Sequence, residues 1–261
     1  MATDSNRFAA SARVYGADAL ARFADMKVLV IGIGGVGSWA AEALARNGIG
    51  QLTLIDNDDI AESNINRQIH ALTGTLGQQK VTVMAERIRQ INPTCQCTAI
   101  DDLLVSNNLR KYLLNDYDYV IDAIDSIRFK ADIIYYCKRN RIPVVTTGGA
   151  GGITDPLTIA VKDLTLTHND PLAAKVRHRL RAHYGWSRNP KKRFGVECVY
   201  STQQPVYPRA DGSVGHEKPG MAGVTLDCNS GYGSSVVATA TFGFAAASRV
   251  INKTLARSRQ A

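Results

Sequence analysis

The sequence predicts an α/β fold: a doubly wound, mostly parallel sheet covered on both faces, continued by a C-terminal extension of strands and helices. Three observations predict it. Short apolar runs at 27–32, 52–56, 95–100, 118–122 and 143–147 alternate with helical stretches at 36–48, 78–91, 106–115 and 127–140. The first run, Val28-Leu29-Val30-Ile31, passes directly into the glycine turn Gly32-Ile33-Gly34-Gly35-Val36-Gly37-Ser38. The chain has 261 residues, of which 45% are hydrophobic, enough to bury one full core.

The elements follow in order. Residues 1–26 read as a helical arm ahead of the first strand. The glycine turn then opens a helix at Val36, with Trp39, Ala40, Ala43 and Leu44 as its apolar positions. Glycines without Cβ let a backbone approach a phosphate, and the free N–H groups of the helix start attract its charge. Alone, this Rossmann-like turn fits NAD, FAD or ATP. The second strand, Leu52-Thr53-Leu54-Ile55, ends in Asp56, nineteen residues after Gly37, where a ribose-binding acid belongs. Asp58, Asp59 and Ser63-Asn64-Ile65-Asn66-Arg67-Gln68 come next, and Gly77-Gln78-Gln79-Lys80 opens another helix.

A dinucleotide pyrophosphate is held by backbone N–H groups and has no need of Arg67 and Lys80. A triphosphate does, because its extra charge is offset by a guanidinium, an ammonium and a metal ion. The fourth strand, Tyr119-Val120-Ile121-Asp122, delivers Ala123-Ile124-Asp125-Ser126. That places an acid at the carboxyl end of the sheet, where Mg²⁺ can bridge it to phosphate oxygens. The nucleotide-binding core therefore spans residues 27–152.

After Gly152 the pattern changes. Leu157-Thr158-Ile159-Ala160-Val161 and Val196-Glu197-Cys198-Val199-Tyr200 read as strands separated by a polar helix near 171–184, then a Gly/Pro-rich loop over 202–234 and a last helix. With no repeat and no low-complexity linker, residues 1–261 read as one domain in which 153–261 extend the sheet. The uncharged stretch from Cys228 to Ser248 is long enough to raise a transmembrane reading. Its small residues and loop-like beginning predict a buried or subunit-facing helix instead, with no stable membrane insertion. Residues 1–6 lead into no apolar run, so a cytoplasmic location is expected.

The five cysteines form no CxxC pair. Cys95, Cys97 and Cys137 sit in apolar patterns and are expected to be buried, whereas Cys198 and Cys228 are candidates to accept sulfur or a transient acyl group from a partner protein. Disulfides are not expected.

Formal charge is +8 and unevenly spread. Eight basic residues and no acid lie between Pro171 and Val196, including Lys191, Lys192 and Arg193; Arg249, Lys253, Arg257 and Arg259 close the chain, again without an acid. The remainder carries 19 basic against 23 acidic residues. Two segments holding all the excess charge, with Tyr184, Trp186 and Phe194 interleaved, favour a polyanion such as RNA; a small acidic carrier protein fits the charge as well.

The series GxGGxGS, Asp56-x-Asp58, Ser63-Asn64-x-Asn66-Arg67-Gln68, Lys80 and Asp122-x-x-Asp125 resembles the E1-like (ubiquitin-activating) superfamily of ATP-dependent adenylating enzymes. More narrowly, residues 31–46, Asn66-Arg67-Gln68-Ile69-His70-Ala71-Leu72 and Thr146-Thr147-Gly148-Gly149-Ala150-Gly151-Gly152 resemble the tRNA threonylcarbamoyladenosine dehydratases, which use ATP to cyclise the modification on adenosine 37 of the tRNA anticodon loop. The resemblance runs from about Arg7 to the last helix. It implies that Asp56 holds the ribose, that Asn66, Arg67 and Lys80 hold the phosphates, and that Asp125 coordinates Mg²⁺. Gly32, Gly34, Gly35, Gly37, Ser38, Asp58 and Gln68 complete the implied ATP site.

The same resemblance implies a homodimer in which an arginine of the N-terminal arm, Arg13 or else Arg7, reaches the partner's triphosphate and joins Arg67, Lys80 and Asp125 in catalysis. Lys191, Lys192, Arg193, Arg249, Lys253 and Arg257 are the candidate tRNA contacts. The alternative within the superfamily is adenylation of the C-terminus of a ubiquitin-like sulfur carrier. The missing CxxC pairs, which several relatives use for structural zinc, and the basic segments argue against it. An NAD-dependent oxidoreductase leaves Arg67, Lys80 and Asp125 without a purpose.

Overall fold

The computed structural model describes residues 6–113, 116–209, 211–217 and 233–258, with side chains as far as Ala256. The arm consists of α1 (Ala9–Tyr15) and α2 (Ala17–Asp25), hinged at Gly16, whose φ of +94° suits a residue without Cβ. Six alternating elements follow: β1 (Lys27–Ile31), α3 (Gly37–Arg46), β2 (Gln51–Ile55), α4 (Lys80–Ile91), β3 (Gln96–Ile100) and α5 (Leu109–Leu113). Then come β4 (Tyr119–Asp122), α6 (Ile127–Arg139), β5 (Val144–Thr147), β6 (Ile159–Asp163), α7 (Pro171–His183) and β7 (Glu197–Ser201). The short β8 (Tyr207–Pro208) and β9 (Val214–Gly215) pair within the expected 202–234 loop, and α8 (Val236–Ser258) ends the described chain.

The seven-stranded sheet has the order β3-β2-β1-β4-β5-β7-β6, parallel throughout except for β6 against β7. The chain leaves β1 toward β2 on one side and returns to β4 on the other. The carboxyl ends of β1 and β4 thus form the crevice where a doubly wound sheet receives its ligand. One departure from the sequence reading has a plain cause. The strand expected at 157–161 begins at Ile159, because Pro156 starts a single 3₁₀ turn capped by Asp155, whose carboxylate accepts the Leu157 N–H at 2.9 Å.

Alternation along β1 divides the core. Val28 and Val30 face a layer built by α2, α3, α4 and α8, while Leu29 and Ile31 face α5, α6 and α7. The small-residue stretch that raised a membrane reading is explained by its packing. A Cβ on Gly243 would lie 2.5 Å from the Val36 carbonyl oxygen, so α8 presses its glycine and alanines directly onto α3. Ala238, Phe242, Ala246, Ala247 and Val250 are buried there. Among the described residues no helix is long and apolar enough to cross a membrane. Residues 228–232 of that stretch, Cys228 among them, lie outside the described residues.

Candidate functional site

The glycine turn is shaped by two different needs. Gly32 has φ +85°, and a Cβ on Gly37 would lie 1.8 Å from the Gly32 carbonyl oxygen; these two glycines let strand and helix meet. Gly34 has no such need within the protein: a Cβ there would meet only the Gln68 side-chain nitrogen, at 3.9 Å. The space above Gly34 is open, which is what a phosphate requires.

Four segments converge on this turn. Asp56 ends β2 and accepts the Ile33 N–H on Oδ2 at 2.6 Å and the Asp58 N–H on Oδ1 at 2.9 Å. Burial raises the Asp56 carboxyl above its ordinary value, opposed by the Lys80 charge and by these two N–H donors. Arg67 lies against Gly35, where a Cβ would be 3.4 Å from its Cγ, and its guanidinium donates to the Ser63 carbonyl at 2.6 Å and to Asn66 Oδ1 at 2.9 Å. The Arg67 carbonyl is itself held by the Trp39 indole N–H at 2.9 Å, which ties this segment to α3. Asn66 donates to the Ser234 carbonyl at 2.8 Å. Ser63, Asn66, Arg67 and Ser234, together with Glu62, Ile65 and Gly233, line a cleft of about 560 Å³.

Lys80 begins α4. Its side chain is nearly buried, and its Nζ lies 2.6 Å from Asp58 Oδ2. The loop after β4 supplies the last wall, with Ala123 and Ile124 against Gly32. Asp125 follows, exposed at the carboxyl end of the sheet. Its motif partner Asp122 has a different place. It is fully buried, 2.9 Å from the Lys130 ammonium, and accepts from the Thr146 hydroxyl at 2.6 Å. Burial pushes its carboxyl up; the ammonium and hydroxyl pull it back. The sequence reading missed Lys130, although a lysine among the apolar positions of α6 was the available signal. It also missed Asp170, which caps α7, accepts the Gly149 N–H at 3.1 Å, and would collide with a side chain at Gly148.

Two side chains beside the open turn keep buried polar atoms without a partner among the described residues: Ser38 Oγ and Gln68 Oε1. Orphaned polar atoms next to the open space at Gly34 fit a polar ligand that supplies the missing bonds. The same geometry fits Mg²⁺. That ion takes one or two carboxylates and otherwise phosphate oxygens and water, so Asp125 alone suffices as a protein ligand. No cluster of three or more metal-binding side chains occurs among the described residues.

The structure does not bring the remaining candidates to this site. Arg13 is exposed on α1, while Arg7 donates to the Ile91 carbonyl at the far end of α4 at 3.0 Å. Lys191, Lys192 and Arg193 are exposed in the loop that enters β7, and β7 runs parallel to β5, so that loop lies at the amino edge of the sheet. Arg249 and Lys253 both meet Glu197, at 2.6 and 3.4 Å, so much of their charge is already matched. Arg257 belongs to α8, beyond the last described side chain. Cys198 is buried in β7, and burial raises its thiol well above the ordinary value. Protonated and shielded, it is a poor sulfur acceptor.

The ThiF family model matches residues 6–255. The chain is 55% identical over 252 residues to the tRNA threonylcarbamoyladenosine dehydratase of Escherichia coli K12, covering 96% of this chain and 94% of that protein. A crystal structure of the E. coli dehydratase in complex with ATP superposes with a TM-score of 0.89 at 50% identity, covering 100% of this chain and 99% of that one. Similarity to the E. coli sulfur carrier protein ThiS adenylyltransferase is narrower, 34% over 134 residues and 51% of this chain. The chain belongs to the ThiF family.

Proposed function

We propose that this protein is an ATP-dependent tRNA threonylcarbamoyladenosine dehydratase. One observation carries the reading: near full-length similarity to that enzyme, joined to an open glycine turn flanked by Arg67, Gln68, Asp56 and Lys80. A carboxylate is a poor electrophile because oxide is a poor leaving group. Attack of the substrate carboxylate on the α-phosphorus of ATP releases pyrophosphate and forms a mixed anhydride. The neighbouring amide nitrogen of the same modification then attacks the activated carbonyl, loses its proton and expels AMP, so the net change in the tRNA is loss of one water.

The residues divide this work. Backbone N–H groups of the turn and the start of α3 receive phosphate oxygens. Arg67 and Lys80 offset the triphosphate charge, Asp56 receives the ribose, and Asn66 orients the Arg67 guanidinium. Asp125 would hold Mg²⁺, whose charge neutralises phosphate oxygens. The assembly is a homodimer in which Arg13 reaches the partner's site; Arg7 is already engaged with its own α4, which favours Arg13. Helix α7 starts at the carboxyl edge, where Asp170 meets Gly149, and runs toward the amino edge, so the exposed Lys175 offers a further tRNA contact between the catalytic crevice and Lys191, Lys192 and Arg193. With ATP and tRNA as its substrates, the protein works in the cytoplasm. Incubation with ATP·Mg²⁺ and threonylcarbamoylated tRNA, followed by nucleoside mass analysis, should show loss of one water with release of AMP and pyrophosphate. ATP–pyrophosphate exchange stimulated by a carrier protein, with the tRNA unchanged, would select the carrier reading.

A further inference from the structure

In the position where the structure holds it, Lys80 is already engaged by a carboxylate. Its Nζ lies 2.6 Å from Asp58 Oδ2, and the two residues are unequal: the Lys80 side chain is 6% exposed, that of Asp58 63%. A buried ammonium is therefore met by a carboxylate that water can solvate on its own. The backbones beneath them are fastened together. The Lys80 N–H donates to the Asp58 carbonyl at 3.1 Å, Ile60 N–H to Gln78 at 2.9 Å, and Gly77 N–H to Ile60 at 2.9 Å. Asp58 N–H is fixed in turn by Asp56 Oδ1 at 2.9 Å. With both main chains pinned, only the side chains can separate, and the exposed carboxylate is the one with somewhere to go.

We propose that Asp58 is a positioning residue that competes with phosphate for Lys80. It keeps the ammonium satisfied and aimed while the site is empty, yields it when the triphosphate arrives, and takes it back as pyrophosphate departs. The proposal rests on the reading of Lys80 as a phosphate ligand, and it differs from the nucleotide-contact role that the family resemblance gives Asp58. The two roles have opposite signs. If Asp58 touches the nucleotide or its metal ion, removing its charge weakens binding of the phosphates; if Asp58 competes with them, removing its charge strengthens it.

Titration of the full chain with pyrophosphate in the presence of Mg²⁺, by calorimetry, separates them. Asp58→Asn keeps the shape and removes the charge, and its exposed site makes loss of the fold unexpected; a thermal melt checks this. Pyrophosphate should bind Asp58→Asn roughly two- to fivefold more tightly, the range expected when a partly exposed ion pair no longer competes. Product inhibition by pyrophosphate should tighten by the same factor, and kcat should fall with little change in the KM for tRNA. Asp58→Glu retains a carboxylate and should bind pyrophosphate nearly as the parent does. Unchanged or weaker pyrophosphate binding in Asp58→Asn overturns the proposal, as does Asp58→Glu behaving like Asp58→Asn. Lys80→Met serves as the separate check: if it binds pyrophosphate as the parent does, the phosphate-ligand reading itself fails.

Discussion

Two lysine–aspartate pairs flank the glycine turn, and they differ in exposure and in how many bonds the lysine makes. Lys130 and Asp122 are 2.9 Å apart with side chains 2% and 0% exposed; Lys80 and Asp58 are 2.6 Å apart, but the aspartate is 63% exposed. In the first pair every bond is closed. Lys130 also donates to the Asp122 carbonyl at 3.2 Å and to Thr146 at 3.1 Å, so β4, β5 and α6 are joined through one ammonium. In the second pair one partner remains in water and can let go. The same two side-chain types thus make a brace on one side of the crevice and an exchangeable contact on the other. The solvent exposure of the acid decides which.

Breaking the brace should have the largest effect on stability. Lys130→Met leaves the Asp122 carboxyl in the core without its cation, a change that costs about 3–5 kcal/mol. A thermal or urea melt should show the destabilisation, and Lys130→Met with Asp122→Asn should recover part of it by removing the stranded charge. Recovery absent in the double variant would mean that the packing of the lysine stem, rather than charge pairing, is what matters.

The open pair should respond in the other way. Lys80→Met should lose roughly 1.5–3 kcal/mol of transition-state stabilisation, the worth of a charge-assisted contact, read as a fall in kcat/KM for ATP. Its stability should change by no more than about 1 kcal/mol, since the exposed Asp58 carboxylate is solvated without its partner. A melt as damaged as that of Lys130→Met would erase the distinction between the two pairs.

The smallest expected effects concern the basic surface, where the same contrast appears between paired and unpaired cations. Arg249 lies 2.6 Å from Glu197, while Lys191, Lys192 and Arg193 have no ion pair among the described residues. Changing the three loop residues together to Ala should weaken tRNA binding and flatten its log–log salt dependence by about 0.7–0.9 for each phosphate no longer neutralised. Arg249→Ala should alter that slope little. Equal changes in the two variants would show that Glu197 does not shield Arg249 from the nucleic acid.

The sequence by itself determined the alternation of strands and helices, the position of the glycine turn and the acid that follows each of β2 and β4. These rest on local rules: hydrophobic period, glycine at a tight strand–helix junction, and spacing along one unit of the fold. It also singled out Arg67 and Lys80 as the cations proposed for the phosphates, because a triphosphate needs cations that a dinucleotide does not. The tertiary structure alone decided what each charged residue meets. Asp122 and Asp125 lie in one motif, yet a lysine eight residues further along, turned inward by α6, closes the first and leaves the second exposed. Lys191 and Arg249 belong to segments of like charge, yet an acid at the start of β7 pairs with one and leaves the other exposed. Burial and ion pairing depend on which distant segments the sheet brings together. No window of sequence contains that information.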